Sequence, residues 1–360
     1  KITDTNDFDS QECIVPIIKT ESGVKLHVKN EIQKQQEAVK ISLSDCIQCV
    51  GCLTSAEEIF VQQSNFEMLE RLLNDKGTPL KIMISNPCLL ALDKKYDISP
   101  SQLLQVLNNR FEPHEFVSEQ IYLEQSISLF LLEIRNKQPD KPLIVSHCPA
   151  AKLFLNKKDS SLSKFFSKSA SPLEIFFSQN ESSISIQQCQ DRKIEAYRWD
   201  RKVFTNLDLI KVIDSMHLSF PMCGEKELTD FNLLKVMEVE LGSKSEKGAN
   251  KDQQKVKGQN LTFYQHNTIR NLENLVRKKA MLPNEVHFVQ ACPRGCFGGA
   301  ALTIDNLTKT SQDIFDQVKD LQPEIDLEAQ MVETKLELGK TKTVQEMMKE
   351  KGITVADMDW

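Results

Sequence analysis

Glu285-Val286-His287-Phe288-Val289-Gln290-Ala291-Cys292-Pro293-Arg294-Gly295-Cys296 is a short apolar run that breaks at a proline and a glycine, with a cysteine on either side of the break. The run from Glu285 to Gln290 predicts a buried strand, and Cys292 follows its C-terminal end. The arrangement recurs twice. Pro142 to Ser146 reads as a buried strand and leads into Cys148; Ser183 to Gln188 alternates like a strand and leads into Cys189. In a parallel sheet the strand C-termini share one edge, and ligand sites gather there. Three loops on that edge bring Cys148, Cys189 and Cys292 together, and Cys296 adds a fourth thiol. Gly298-Gly299 follow, small enough to let backbone pack closely on a buried inorganic core. An isolated cysteine is more often a small buried hydrophobe, and that reading suits Cys88 and Cys223.

Around these strands the pattern alternates. Leu80 to Ile84 is an apolar run stopped by Asn86-Pro87, and Leu209 to Val212 is a weaker strand candidate. Glu57 to Leu73, Ser101 to Phe111, Val117 to Asn136, Pro172 to Phe177, Glu227 to Leu241, Ile269 to Lys279, Ser311 to Leu321 and Val344 to Lys351 read as helices. Strands spaced by helices predict α/β layers around a largely parallel sheet. Residues 242–260 carry five lysines and almost nothing to bury, and are expected to form a flexible insertion.

The 360 residues suffice for two or three domains. With 40% hydrophobic and 27% charged residues the chain has the balance of a soluble globular protein. A net charge of −6 argues against a general nucleic-acid binder and against an anionic membrane as partner. No apolar run reaches the roughly 18 residues of a membrane span. Lys1 to Ser10 is polar and acidic, unlike a secretory signal, and the absence of an initial Met is expected of a chain lacking a few starting residues. The ten cysteines are therefore expected to be reduced thiols in the cytosol.

The densest cysteine cluster is Cys46-Ile47-Gln48-Cys49-Val50-Gly51-Cys52. Zinc sites usually take two ligands from each of two knuckles. Three thiols at this repeated spacing suit a cuboidal iron–sulfur cluster with three irons held by one loop. No cysteine follows Cys52 at the ferredoxin spacing, so the fourth ligand comes from elsewhere, and Cys13 is the natural candidate. Closing that loop costs only a few kcal/mol of entropy.

At these residues the chain resembles the cytosolic iron–sulfur assembly factors homologous to iron-only hydrogenases, a family that includes the nuclear prelamin A recognition factor-like proteins. Four pieces match in order: Asp7-Phe8 through Cys13-Ile14-Val15-Pro16; Asp45-Cys46 through Glu57, like the family's D-C-x-x-C-x-G-C-x-T-S-A-E box; Cys189 through Arg192, Lys193 and Glu195, like its C-x-x-K-K-x-E element; and Ala291-Cys292-Pro293 to Gly299, like its A-C-P-x-G-C-x-x-G element. The resemblance implies an iron-only hydrogenase-like α/β fold. Two lobes with mostly parallel sheets would surround an inter-lobe cluster (76–241 and 261–340), with a small N-terminal cluster-binding region (1–75) and a C-terminal helix and tail (341–360). It implies two 4Fe–4S clusters, one on Cys13, Cys46, Cys49 and Cys52, the other on Cys148, Cys189, Cys292 and Cys296.

The chain departs from the family pattern in places. Gly299-Ala300-Ala301-Leu302 stands for Gly-Gly-Gly-Gln, Arg192 for a lysine, Gln187-Gln188 for Met-Pro, and Ala151 for a tryptophan. In the hydrogenases the position of His147 is a proton-relaying thiol and that of Phe288 a glutamate. With the lysine that holds the di-iron subsite also replaced, the expected protein performs no hydrogen chemistry and has no catalytic residues. The resemblance implies a non-catalytic factor that links an early scaffold to a late targeting complex with a β-propeller subunit, serving cytosolic and nuclear apoproteins from the cytoplasm and also the nucleus. The ending Met358-Asp359-Trp360 resembles the short tail by which pathway members dock on that complex, an indole anchor beside a free carboxylate. An electron-transfer protein using the same ligands and a zinc-stabilised interaction protein are the competing readings.

Overall fold

Apolar runs of four to six residues between turns make the strands, and the face each residue takes follows the period of two. The computed structural model describes residues 13–14, 17–20, 23–26, 40–41 and 65–302, apart from 137–140, 198, 217–232, 251 and 279–280. Cys46, Cys49, Cys52, Cys223, the two predicted C-terminal helices and Met358-Asp359-Trp360 lie outside the described residues. The chain divides into two units, Lys1–Ile59 and Phe60–Trp360. In the first, β1 (Cys13–Ile14) pairs antiparallel with β4 (Lys40–Ile41), and β2 (Ile17–Thr20) with β3 (Gly23–Leu26).

Among the described residues, the second unit carries two sheets. One is wholly parallel, in the order β6 (Glu115–Ser118), β5 (Lys81–Ile84), β8 (Ser183–Gln187), β9 (Lys202–Thr205). Ile82, Ile84, Ile184, Ile186 and Phe204 point to one face. There they pack against α1 (Phe66–Asn74), α2 (Asn86–Tyr96), α3 (Pro100–Arg110) and α8 (Asn206–Ser215). Met83 and Val203 point to the other, against α4 (Gln120–Arg135), α6 (Pro172–Gln179) and α7 (Asp191–Tyr197). Capping fixes several starts. Asn65 accepts from Met68 N at 3.1 Å, and Ser171 with Glu174 and Thr205 with Asp208 form capping boxes.

The other sheet is mixed, in the order β10 (Glu246–Lys247), β11 (Gln253–Lys257), β12 (Thr262–Asn267), β13 (Glu285–Gln290), β7 (Leu143–Val145). The last three strands are parallel and the first three antiparallel. Val286, Phe288, Phe263 and Val145 face Ile127, Phe130 and Leu131 of α4 and helix α9 (Leu233–Leu241). Ile144 and Val289 face α5 (Pro149–Lys158) and α10 (Ile269–Arg277). Helix α4 thus serves both sheets: Tyr122 packs in the parallel sheet's second core, and Ile127 and Phe130 pack in the mixed sheet's. Among the described residues no helix is long and apolar enough to cross a membrane.

The structure corrects the sequence reading in four places. Residues 242–260 are not a structureless insertion: Glu246–Lys247 and Gln253–Lys257 are strands β10 and β11. Val256 at 0% exposure enters the core, while the lysines suit an edge strand. Helix α1, assigned to the N-terminal region 1–75, drives Leu69 and Leu73 into the core of the parallel sheet. Leu209 to Val212 is helical, and the segment from Val117 opens as the end of β6 before α4 begins.

Candidate metal centre

All four predicted inner thiols stand in loops that leave C-terminal strand ends. Cys148 follows β7 and caps α5; Cys189 lies between β8 and α7; Cys292 and Cys296 follow β13. The mixed sheet supplies three of them and the parallel sheet one. Short hydrogen bonds tie the loops together. Ser146 Oγ accepts from Cys148 N (3.0 Å) and donates to Val289 O (2.7 Å), fastening the Cys148 loop to β13. Ala301 N donates to Gln188 O (2.9 Å), fastening the last loop beside Cys189. A Cβ on Gly299 would meet that same Gln188 carbonyl at 2.6 Å, so only glycine permits the approach.

The loop Cys292-Pro293-Arg294-Gly295-Cys296 turns tightly because Arg294 (φ 58°) and Gly295 (φ 65°) both take the left-handed conformation. Gly295 N donates to Cys292 O at 3.1 Å, and the 3-10 turn Gly295–Gly298 presents Cys296 back toward the strand end.

The four thiols are free and half-buried. Burial pushes each one above its ordinary value, with Cys296 reaching about 11. They also act on one another: Cys148 and Cys292 raise Cys189, Cys148 and Cys296 raise Cys292, and Cys148 raises Cys296. The guanidinium of Arg192 works the other way on Cys148, Cys189 and Cys296. Four mutually interacting thiols inside the protein are a soft, all-sulfur donor set of the kind iron–sulfur clusters take. Among the described residues no group of three or more His, Cys, Asp or Glu side chains is arranged to hold a single metal ion. A cuboidal cluster takes one thiolate at each of four separate iron corners and fits a wider quartet than one ion does.

Polar side chains line the surroundings. Arg192 Nη1 donates to Glu195 Oε2 at 2.5 Å, with both side chains almost wholly buried, and Ser171 Oγ donates to the other oxygen of Glu195. Lys193 is buried too; desolvation brings it down to about 8, partly offset by Asp208. His147 does not turn to the thiols. Its Nε2 lies 3.1 Å from Ser126 Oγ, which itself donates to Ala170 O, so the ring donates and the serine accepts. Burial holds His147 neutral, down to about 3, with Arg192 and Lys152 adding to the effect. Phe288 meets its ring edge-on at 5.7 Å.

The sequence reading missed Gln290 and the partners of Gln188. Gln290 Nε2 donates to Cys296 Sγ at 3.5 Å, and Ser85 Oγ donates to Gln188 Oε1 at 2.9 Å. A glutamine at a strand end carries no motif; standing one or two residues before a predicted ligand, as Gln188 and Gln290 do, was the one available signal. Cys88 is wholly buried in the core on the parallel sheet, as expected of a structural cysteine. Of the outer quartet, only the backbone of Cys13 is described, on β1 opposite Ile41.

Solved [FeFe]-hydrogenases share this fold. HydA1 from Chlamydomonas reinhardtii superposes with a TM-score of 0.55 at 16% identity, covering 77% of this chain and 96% of that one. Another [FeFe]-hydrogenase gives 0.55 at 18% identity over 78% of this chain and 96% of its own. The chain is therefore an α/β protein with the iron-only hydrogenase fold.

In sequence it is a homologue of proteins named cytosolic Fe–S cluster assembly factors. That of Xenopus tropicalis, narfl, is 24% identical over 89% of this chain and 87% of its own length. A probable factor of Aedes aegypti is 22% identical over 87% and 86%. NAR1 of Vanderwaltozyma polyspora reaches 30% over 54% of this chain and 40% of the yeast protein. No family model matches the chain.

Proposed function

We propose that the chain is a non-catalytic iron–sulfur protein of cytosolic iron–sulfur protein assembly, holding two 4Fe–4S clusters. The carrying observation is the inner quartet: four half-buried thiols, brought from two sheets by strand-end loops, that interact with one another. Cys148, Cys189, Cys292 and Cys296 hold the inner cluster and Cys13, Cys46, Cys49 and Cys52 the outer. The names of the homologues support the pathway. Bound clusters supply one-electron chemistry and a labile inorganic core. The chain's own groups position the thiols, exclude water and hold Arg192 near three of them.

A non-catalytic role fits the pocket. His147 is neutral and committed to Ser126, Phe288 is apolar and packed in the mixed sheet's core, and Arg192 is committed to Glu195. None of them is set to carry a proton to a reacting atom. The protein links the early scaffold to the late targeting complex, with Met358-Asp359-Trp360 as the docking tail for the β-propeller subunit, and acts in the cytoplasm and the nucleus. Anaerobic purification tests the assignment. Brown protein with iron and acid-labile sulfide in equal amounts is expected, and depletion should leave client 4Fe–4S enzymes unmatured. Zinc without sulfide would overturn it, and a partner's electron turnover lost without a maturation defect would favour electron transfer.

A further inference from the structure

Gln290, the last residue of β13, is 9% exposed, and its Nε2 lies 3.5 Å from Cys296 Sγ. Gly295 keeps the turn against that amide. A Cβ there would stand 2.3 Å from Gln290 Oε1, so the tight loop and the amide are fitted to one another. Gln188 stands directly before Cys189 at the end of the parallel sheet's β8, and Ser85 Oγ occupies its carbonyl oxygen at 2.9 Å, which fixes the orientation of that amide. Ser85 and Gln188 are both buried, so water does not compete for these bonds. Cys296 thus takes a carboxamide hydrogen bond from the end of β13, and a second buried amide, Gln188, is held in a fixed orientation beside Cys189.

We infer that Gln290, polarising Cys296, and the Ser85-held amide of Gln188 beside Cys189 are positioning residues that set the reduction potential of the inner cluster; the inference rests on the inner quartet holding such a cluster. Hydrogen bonds to a thiolate ligand stabilise the extra negative charge of the reduced state and move the potential upward.

The test is an EPR-monitored redox titration of the full chain, purified anaerobically, beside Gln188→Leu, Gln290→Leu and the double variant. The inner signal should move to more negative potential in each single variant and further in the double. The outer signal, whose assigned ligands belong to the other unit, should stay in place as internal reference. Gln290→Glu keeps the shape while removing the N–H, and carries the test if a leucine variant does not fold; it should move the same way. An inner signal unmoved in all variants, or both signals moving together, overturns the inference while leaving the cluster assignment standing. Parent protein without sulfide overturns the assignment itself, and this inference with it.

Discussion

His266 Nε2 and His287 Nδ1 lie 3.0 Å apart inside the mixed sheet, and the pair sits in a chain of one direction. Gln253 Nε2 donates to His266 Nδ1, His266 to His287, and His287 Nε2 to Glu285 Oε2. Tyr264 stacks on both rings. Every ring nitrogen is used once, and only with both imidazoles neutral can each bond have a donor and an acceptor. Burial brings His266 down to about 3, and the Lys278 charge acts in the same direction.

The sign of the pH effect follows. His266 takes up a proton near pH 6.5 when unfolded and near 3 when folded, so the unfolded chain binds more protons between those values. The stability it contributes is present above pH 6.5 and falls by about 1.4 kcal/mol for each pH unit below it. His147 adds a second loss of the same sign. Urea unfolding at pH 6 and pH 5 should show His266→Gln with a slope shallower by one proton than the parent. An identical slope would mean that the histidine chain already charges in the folded state.

Arg192 and Glu195 supply a second expectation. They are 3% and 7% exposed and bonded at 2.5 Å, so removing one leaves the other as a buried unpaired charge. Arg192→Met should cost about 3–5 kcal/mol, whereas Arg192→Met with Glu195→Gln should cost distinctly less. A double-mutant cycle by denaturant unfolding measures the difference. Additive losses would show that the pair is screened by water.

The strands Lys81–Ile84 and Leu143–Val145 were legible as short, mostly apolar runs between turn residues, and Glu285–Gln290 because Val286, Phe288 and Val289 make it apolar enough to bury. Helices α2 and α5 were not, because Pro87 and Pro149 read as stops when they stand in the first helical turn, where a missing N–H costs nothing. β9 is four residues long beside charged neighbours, and β12 is half polar with buried His266; pairing with neighbouring strands, not local pattern, makes them strands. β11 hides one buried valine among lysines. In the site, the thiols were readable because strand ends carry them in sequence. The amides of Gln188 and Gln290 were not, since a side chain's direction appears only once two sheets are assembled.

Gly295 should tolerate no side chain. Its φ of 65° is costly for other residues, and a Cβ would strike Gln290 at 2.3 Å. Gly295→Ala should lower stability by about 1–3 kcal/mol and deplete iron from the inner site, with the outer content kept. Metal analysis of anaerobically purified variant protein decides it; full iron loading would show that the loop re-forms without the left-handed turn.

The two quartets should differ in what their loss does. Cys292 stands in the loop that closes both sheets around the inner thiols, beside Ser146 and β13. Cys13 belongs to the separate unit Lys1–Ile59, and the core residues of the second unit's sheets come from Leu69 to Leu302. Cys13→Ala should therefore reduce iron and sulfide while leaving the unfolding midpoint of the α/β unit nearly unchanged. Cys292→Ala should reduce iron and also lower that midpoint, because a cluster bound only by the folded state adds its binding free energy to stability. Thermal unfolding paired with iron analysis separates the outcomes. If Cys13→Ala collapses the fold while Cys292→Ala leaves it standing, the outer cluster is the structural one and the inner the labile.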